Sequence, residues 1–202
     1  MSIILSFQMN KGGVGKTSLT TNVASCLSKR FSEKKILIVD TDGQGNCAMS
    51  YKLIPDKLTP TIYDCLVDGL PAEQAIIQIR ENLDILPAND DMNFFELDVL
   101  PDLKGKNPFL FLKNVIDPIQ DQYDFILIDS PPDMKMIAGN ILHVADFVFI
   151  PFMPELYSVQ GLIRVIKKIK EFQEESNLKV KIGGVVPMMV NERTKLHSGL
   201  LL

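Results

Sequence analysis

A chain of 202 residues with 46% hydrophobic side chains can bury one sizeable core but is too short to promise two. Its formal charge of -4 excludes a protein that is basic all over, so any nucleic-acid contact must come from a local patch. Three scattered cysteines, Cys26, Cys47 and Cys65, and two histidines, His143 and His197, argue against a disulfide framework and a histidine-rich metal site. Cys26 and Cys65 are expected as small buried side chains. No apolar run reaches the roughly 18 residues that span a bilayer, and no basic segment precedes the first apolar stretch, so a cytoplasmic protein is expected.

Taken in chain order, IILSF (3–7) reads as a buried strand and runs directly into FQMNKGGVGKTS (7–18). Residues 16–30 then show helical spacing, with Leu19, Val23, Cys26 and Leu27 on one stripe. A second apolar strand, ILIVD (36–40), is followed by TDGQGN. The interval 54–118 is broken by Pro55, Pro60, Pro71, Pro87, Pro101 and Pro108 into short helices, clearest at 61–69 and 108–117, around one further strand at 83–88. Strands follow at 124–129 and 146–152. A helix over 157–173 carries Val159, Leu162, Ile163, Ile166, Ile169 and Phe172 on its apolar stripe, and a last strand occupies 181–188. Apolar runs of this kind, alternating with helices, predict an α/β fold: a doubly wound, mostly parallel sheet flanked by helices, in a single domain with ligand loops at the strands' carboxyl ends.

The loop after the first strand has the chemistry of a phosphate cradle. Gly12, Gly13 and Gly15 let backbone N–H groups approach an anion, and a helix starting near Lys16 points its positive end at the same place. In a P-loop reading, Gly12, Gly13, Val14, Gly15, Lys16, Thr17 and Ser18 bind the nucleotide, Lys16 holds the β- and γ-phosphates, and the Thr17 hydroxyl binds Mg²⁺. Lys11 is a second cation in the same small loop, and two ammonium groups repel unless a polyphosphate lies between them. One resolution is that Lys11 serves the nucleotide of a second subunit, as an arginine finger does in trans.

KGGVGKTS resembles the deviant P-loop K-G-G-x-G-K-[ST] of the ParA/MinD ATPases. ILIVDTDGQGN (36–46) is similar to that family's second motif, YDFILIDSPP (123–132) to its third, and FVFIPFMPELYSVQGL (147–162) to the stretch that follows in ParA proteins. The resemblance implies a P-loop NTPase fold, with ATP or ADP and Mg²⁺ as cofactors. Asp42 would position the attacking water, while Asp40 and Asp129 lie near the metal with Thr17. Pro131, Pro132 and Asp133 match a switch loop, and Asn191 matches a position that contacts adenine. It also implies an ATP-dependent homodimer, non-specific DNA binding, a ParB-like centromere-binding partner that stimulates slow hydrolysis, and nucleoid association, with no membrane expected.

Two departures stand out. Gly43 replaces the usual proline of the second motif, and the chain stops where ParA proteins continue with further helices and a strand, as a C-terminally truncated form would. No helix-turn-helix module is expected ahead of Ile3. The exposed-cation candidates for DNA are Arg164, Lys167, Lys168, Lys170, Lys179 and Lys181, diluted by Glu171, Glu174 and Glu175. A MinD-like membrane-surface ATPase and a nucleotide-binding regulator without turnover are the alternatives. Electron transfer through an iron–sulfur cluster is set aside, because no cysteine follows Cys65.

Overall fold

The computed structural model describes residues 2–191, apart from 104, 106, 134, 156, 157 and the side chain of Asp102. Seven strands form one sheet: β1 (Ile3–Phe7), β2 (Ile36–Asp40), β3 (Ile77–Arg80), β4 (Leu83–Leu86), β5 (Phe125–Asp129), β6 (Phe147–Phe152) and β7 (Lys181–Pro187). Their order across the sheet is β3-β4-β2-β5-β1-β6-β7, and every neighbouring pair is parallel except β3 with β4. The helices are α1 (Lys16–Arg30), α2 (Asn46–Ser50), α3 (Ile62–Val67), α4 (Phe95–Val99), α5 (Phe111–Ile116), α6 (Met136–Val144) and α7 (Ser158–Glu175).

Two apolar layers hold the sheet. On one face Phe7, Ile36, Ile38, Leu83, Ile85 and Leu127 pack against Ala24 of α1 and Cys47 and Ala48 of α2. On the other, Ile4, Leu37, Val39, Ile126, Ile128 and Val148 meet residues of α3, α5, α6 and α7. The central strands are buried on both faces and so are continuously apolar, as parallel strands covered by crossover helices must be. The register sets Phe7 and Asp40 on either side of Asp129, so three strands end together at one rim of the sheet.

Several expectations need correction. Within the interval 54–118 a second strand, β3, joins the expected one: it is a four-residue edge strand whose Ile77 and Ile79 are only half-buried, too short for its alternation to stand out. β4 stops at Leu86, because Pro87 has no N–H for the ladder. Helix α6 was not anticipated. Six of its nine residues, Ile137, Ala138, Gly139, Asn140, Ile141 and Leu142, are buried on all sides of the helix, so it shows little amphipathic contrast. Cys26 is exposed, while Cys47 and Cys65 are buried. On α1 the inward face is Lys16, Thr20, Thr21, Ala24 and Ser28, with Leu19, Val23 and Leu27 along its flank. On α7, Val165, Ile169 and Phe172 face the core, and Ile163, nearly opposite Val165 on the helical wheel, is exposed. β7 alternates exposed and half-buried positions rather than being buried, because among the described residues it pairs only with β6. The segment 192–202, with His197, lies outside the described residues. Among those described, no helix is long and apolar enough to cross a membrane.

The end of α1 is tied to the sheet by one side chain. Asn82, in the β3–β4 turn, donates through Nδ2 to the carbonyls of Ser28, Phe31 and Lys34, at 3.1, 3.2 and 3.0 Å, and accepts from Ser28 Oγ at 2.7 Å. These bonds satisfy carbonyls at the helix C-terminus and in the turn that follows it. Asn82→Ala should therefore lower the unfolding free energy in urea by about 1–3 kcal/mol, the usual cost of leaving such groups unpaired. A change within error would show that water replaces the amide at no cost.

Candidate functional site

The loop between β1 and α1 is shaped by its glycines. Gly13 and Gly15 adopt φ of 73° and 91°, left-handed values that other residues rarely take. A Cβ on Gly15 would also lie 2.9 Å from Met188 Cε, whereas one on Gly12 would meet nothing within 4 Å. Gly15 provides no side-chain cap to α1, and no acidic residue occupies its first turn. The N–H groups of that turn are therefore available to an anion, at the positive end of a fifteen-residue helix. Val14 turns its side chain into the core, leaving only its backbone to the loop.

A cleft of 390 Å³ opens in front of this loop. Its walls are Gly12, Gly13, Gly15, Lys16, Thr17 and Ser18 from the loop and α1, Asp42, Gln44 and Asn46 after β2, Pro132 after β5, and Met189 after β7. Lys16 is buried, and its Nζ donates to the Lys11 carbonyl at 3.3 Å. Burial lowers its pKa, while the negative charges of Asp129, Asp42 and Asp133 act the other way.

Behind Lys16 stand two carboxylates that water does not reach. Asp40 and Asp129 end neighbouring strands in direct register, and both are fully buried. Asp129 Oδ2 accepts from Thr17 Oγ1 at 2.6 Å and from Cys47 Sγ at 3.5 Å, and its Oδ1 accepts from Thr20 Oγ1 at 3.2 Å. Asp40 accepts from the backbone N–H groups of Asp42 and Cys47, each at 3.1 Å. Burial raises the Asp129 pKa to about 6, against the Thr17 hydrogen bond and the Lys16 charge. Burial and the neighbouring Asp129 push Asp40 well above the usual carboxylate range, and burial likewise pushes up the Cys47 thiol. The side-chain ligand atoms of Asp40, Cys47 and Asp129 lie within 4.8 Å of one another. The carboxylates and the Thr17 hydroxyl offer the hard oxygen donors that Mg²⁺ prefers, so the residues fit that ion.

Asp42 is half-buried at the cleft wall, where its Oδ1 accepts from Gln44 N at 3.1 Å. Lys11 is placed differently from the rest. Its Nζ donates to Glu155 Oε2 at 2.7 Å, in an ion pair about half exposed on both sides. Asn191 is exposed, and of the described residues after β7 it is Met189 that lines the cleft. Gly43 faces the Asn93 side chain so closely that a Cβ would sit 2.8 Å from its Oδ1.

Sequence reasoning missed Thr20 and gave Cys47 no role. Thr20 lies four residues after Lys16 and so on the same helix face, a signal that was there to be read. Thr41 Oγ1 donates to the Asp129 carbonyl at 2.6 Å and Ser130 Oγ to the Phe7 carbonyl at 2.7 Å, stitching the strand ends together. These hydroxyls carry no pattern that separates them from ordinary turn residues.

The Asp129 shift has a measurable consequence. Its folded pKa, about 6, lies above the reference value of 3.8, so the native state binds more protons between these values. The stability this group contributes is complete below the lower value and is lost as pH rises through the upper one. Urea unfolding without divalent cations should show stability falling across that window, with Asp40, raised by burial too, contributing to the fall, and Asp129→Asn should make it shallower. An unchanged slope would mean that another group titrates there.

Comparison with known proteins agrees with this geometry. The AAA domain family matches residues 2–182. A ParA family protein of Mycoplasma pneumoniae is 35% identical, over 98% of this chain and 75% of its own length. The sporulation initiation inhibitor protein Soj of Bacillus subtilis is 32% identical, over 97% of this chain and 76% of its own. Among solved structures, cobyrinic acid a,c-diamide synthase from Mycobacterium smegmatis, with bound ATP analog and magnesium, superposes with a TM-score of 0.91 at 26% identity, over 100% of this chain and 78% of that one. A plasmid partition protein from Borrelia burgdorferi gives 0.80 at 26% identity, over 96% and 83%. The chain belongs to the ParA family, among the ParA/MinD-type P-loop ATPases.

Proposed function

We propose that this chain is a DNA-partition ATPase that binds ATP and Mg²⁺ in the cleft, dimerises over the nucleotide, binds DNA without sequence preference, and hydrolyses ATP slowly until a ParB-like partner accelerates it. The observation that carries the reading is the convergence of Lys16, Thr17 and Asp42 on one cleft, with Asp129 buried directly behind Thr17. Relatives named chromosome partitioning protein ParA in Myxococcus xanthus and Caulobacter vibrioides support the biological setting, at 30% and 28% identity. A cytoplasmic, nucleoid-associated location goes with it.

In this reading the α1 N-terminus and Lys16 hold the phosphates, and the Thr17 hydroxyl, with Asp129 and Asp40 behind it, holds the metal. Mg²⁺ would neutralise charge on the β- and γ-oxygens. Asp42, on the cleft wall and half open to solvent, orients the attacking water. Lys11 leaves Glu155 to meet the phosphates of the other subunit. An exposed ion pair contributes only about 0–1 kcal/mol, so a polyphosphate competes with it readily. On α7, Arg164, Lys167, Lys168 and Lys170 are exposed, as are Lys179 and Lys181 at the far end of β7. Lys167 and Lys168 both approach Glu171, at 3.9 and 3.6 Å, so the patch is weaker than its lysine count suggests.

Fluorescence anisotropy of a labelled duplex of arbitrary sequence tests the whole reading. ATP-dependent binding that weakens steeply with salt is expected, and equal binding with ATP and ADP would contradict it. Lys11→Ala should retain ATP binding and lose the ATP-dependent dimer in light scattering; an intact dimer would remove its role in trans. Asp42→Ala should bind ATP normally and lose about 100-fold in turnover, the lower end for a group that manages the attacking water. Undiminished turnover would assign that task elsewhere.

A further inference from the structure

Among the described residues, four buried side-chain N and O atoms lack a hydrogen-bond partner, and all four belong to one stretch of chain: Ser2 Oγ, Ser6 Oγ and the Nε2 and Oε1 of Gln8. Side chains alternate across a strand, so these even-numbered residues share the face of Ile4, toward α6 and α7, while Phe7 belongs to the α1 layer. Gln8 keeps to the alternation, because its N–H donates to the Phe149 carbonyl at 3.1 Å and extends the ladder beyond Phe7. Ser2 borders a surface recess at the far rim of the sheet, whereas Ser6 and Gln8 are fully buried. The neighbouring-strand positions on that face, Ile128, Val148 and Ile150, are apolar. Packing alone would place an apolar side chain at residue 8 as well, since burying an amide with neither end bonded is costly.

Strand register gives the amide a neighbour. Phe7 pairs with Asp129, so Gln8 stands beside Ser130, where β5 gives way to the loop that leads to α6. Ile137 and Ile141 of α6 lie in the same apolar layer as Ile4, and the loop must therefore turn over the face that holds Gln8. Its start is tied to β1 by Ser130 Oγ, which donates to the Phe7 carbonyl at 2.7 Å. Pro131 and Pro132 have no N–H, so this part of the loop offers carbonyls alone, the partner that Nε2 requires. Pro132 also walls the cleft, together with Asp42.

We propose that Gln8 is a positioning residue for the loop after β5: its buried amide takes a carbonyl of Pro131 or Pro132 when the cleft is filled as far as the γ-phosphate. This role rests on the ATPase reading, which puts the attacking water at Asp42 and so the γ-phosphate on the Pro132 side of the cleft. A ligand shifts an element between two arrangements only by the difference in its affinity for them. An unbonded amide raises the free energy of one arrangement, and so reduces the difference that the ligand must supply. ATP gains from that bias. ADP, which has no γ-phosphate, leaves the loop where it stands and gains nothing.

Gln8→Met keeps the length of the side chain and removes its polar atoms, so it separates this role from packing. Without nucleotide, the urea midpoint of the variant should rise, because an apolar group replaces an unpaired amide. In calorimetric titration a non-hydrolysable ATP analogue with Mg²⁺ should bind about tenfold more weakly to the variant, while ADP affinity stays unchanged and shows that the fold is kept. Ser6→Ala removes the other enclosed polar group, two residues further from the loop, and should leave the ratio of the two affinities as it was. A lower midpoint for Gln8→Met would overturn the proposal, since the amide would then be bonded through internal water and purely structural. Equal weakening of both nucleotides, no change in either, or the same altered ratio in Ser6→Ala would overturn it too. If the unsubstituted chain bound neither nucleotide, the ATPase reading would fall and take this role with it; normal binding with an unaltered preference in Gln8→Met removes the role of Gln8 alone.

Discussion

Two carboxylates buried side by side, Asp40 and Asp129, are the constraint around which the rest of the site is arranged. Removing such groups from water is costly unless they are hydrogen-bonded or meet a cation. Here the hydrogen bonds come from different parts of the chain. Thr17 and Thr20 pin α1 to Asp129, and the N–H groups of Asp42 and Cys47 wrap the loop after β2 onto Asp40. The raised pKa values show that the arrangement is incompletely compensated by the chain itself. Buried, strongly perturbed acids of this kind gather at functional sites more often than in ordinary packing.

The same arrangement transmits outward. With the strand ends locked by Thr41 and Ser130, the loops that follow β2 and β5 begin from fixed points, and their far ends lean on the α4 segment. Asn93 against Gly43 on one side and Glu96 on the α6 N-terminus on the other make that segment a common support for both loops. A Cβ at Gly43 would displace the end of the Asn93 side chain. Lys11 belongs to a different layer of the design, because its pair with Glu155 is exposed and readily exchanged.

Most of this was legible in the residues. Six of the seven strands and the two long helices, α1 and α7, were legible, the strands and the amphipathic α7 from their apolar patterns and α1 chiefly from the glycine loop that precedes it, since the inward face of α1 is largely polar. The phosphate loop was equally clear, because Gly13 and Gly15 need backbone conformations that little else adopts and Lys16–Thr17 needs that loop. What stayed hidden was either too short, as with β3, or lacked contrast, as with α6.

The sequence by itself determined the fold class, the cleft's principal residues and the family, because local backbone preference and strand-end motifs are written in contiguous stretches. Only the tertiary structure decided which distant residues meet. Asp40 and Asp129 are 89 residues apart in the chain and become neighbours through strand register; Cys47 and Thr20 join them only when α1 and α2 pack on the sheet. The pairing of Lys11 with Glu155, and the outward face of Phe94, Leu97 and Leu100, likewise depend on which side of an element the core claims. Contacts of this kind arise from packing between elements, and no single stretch of residues encodes them.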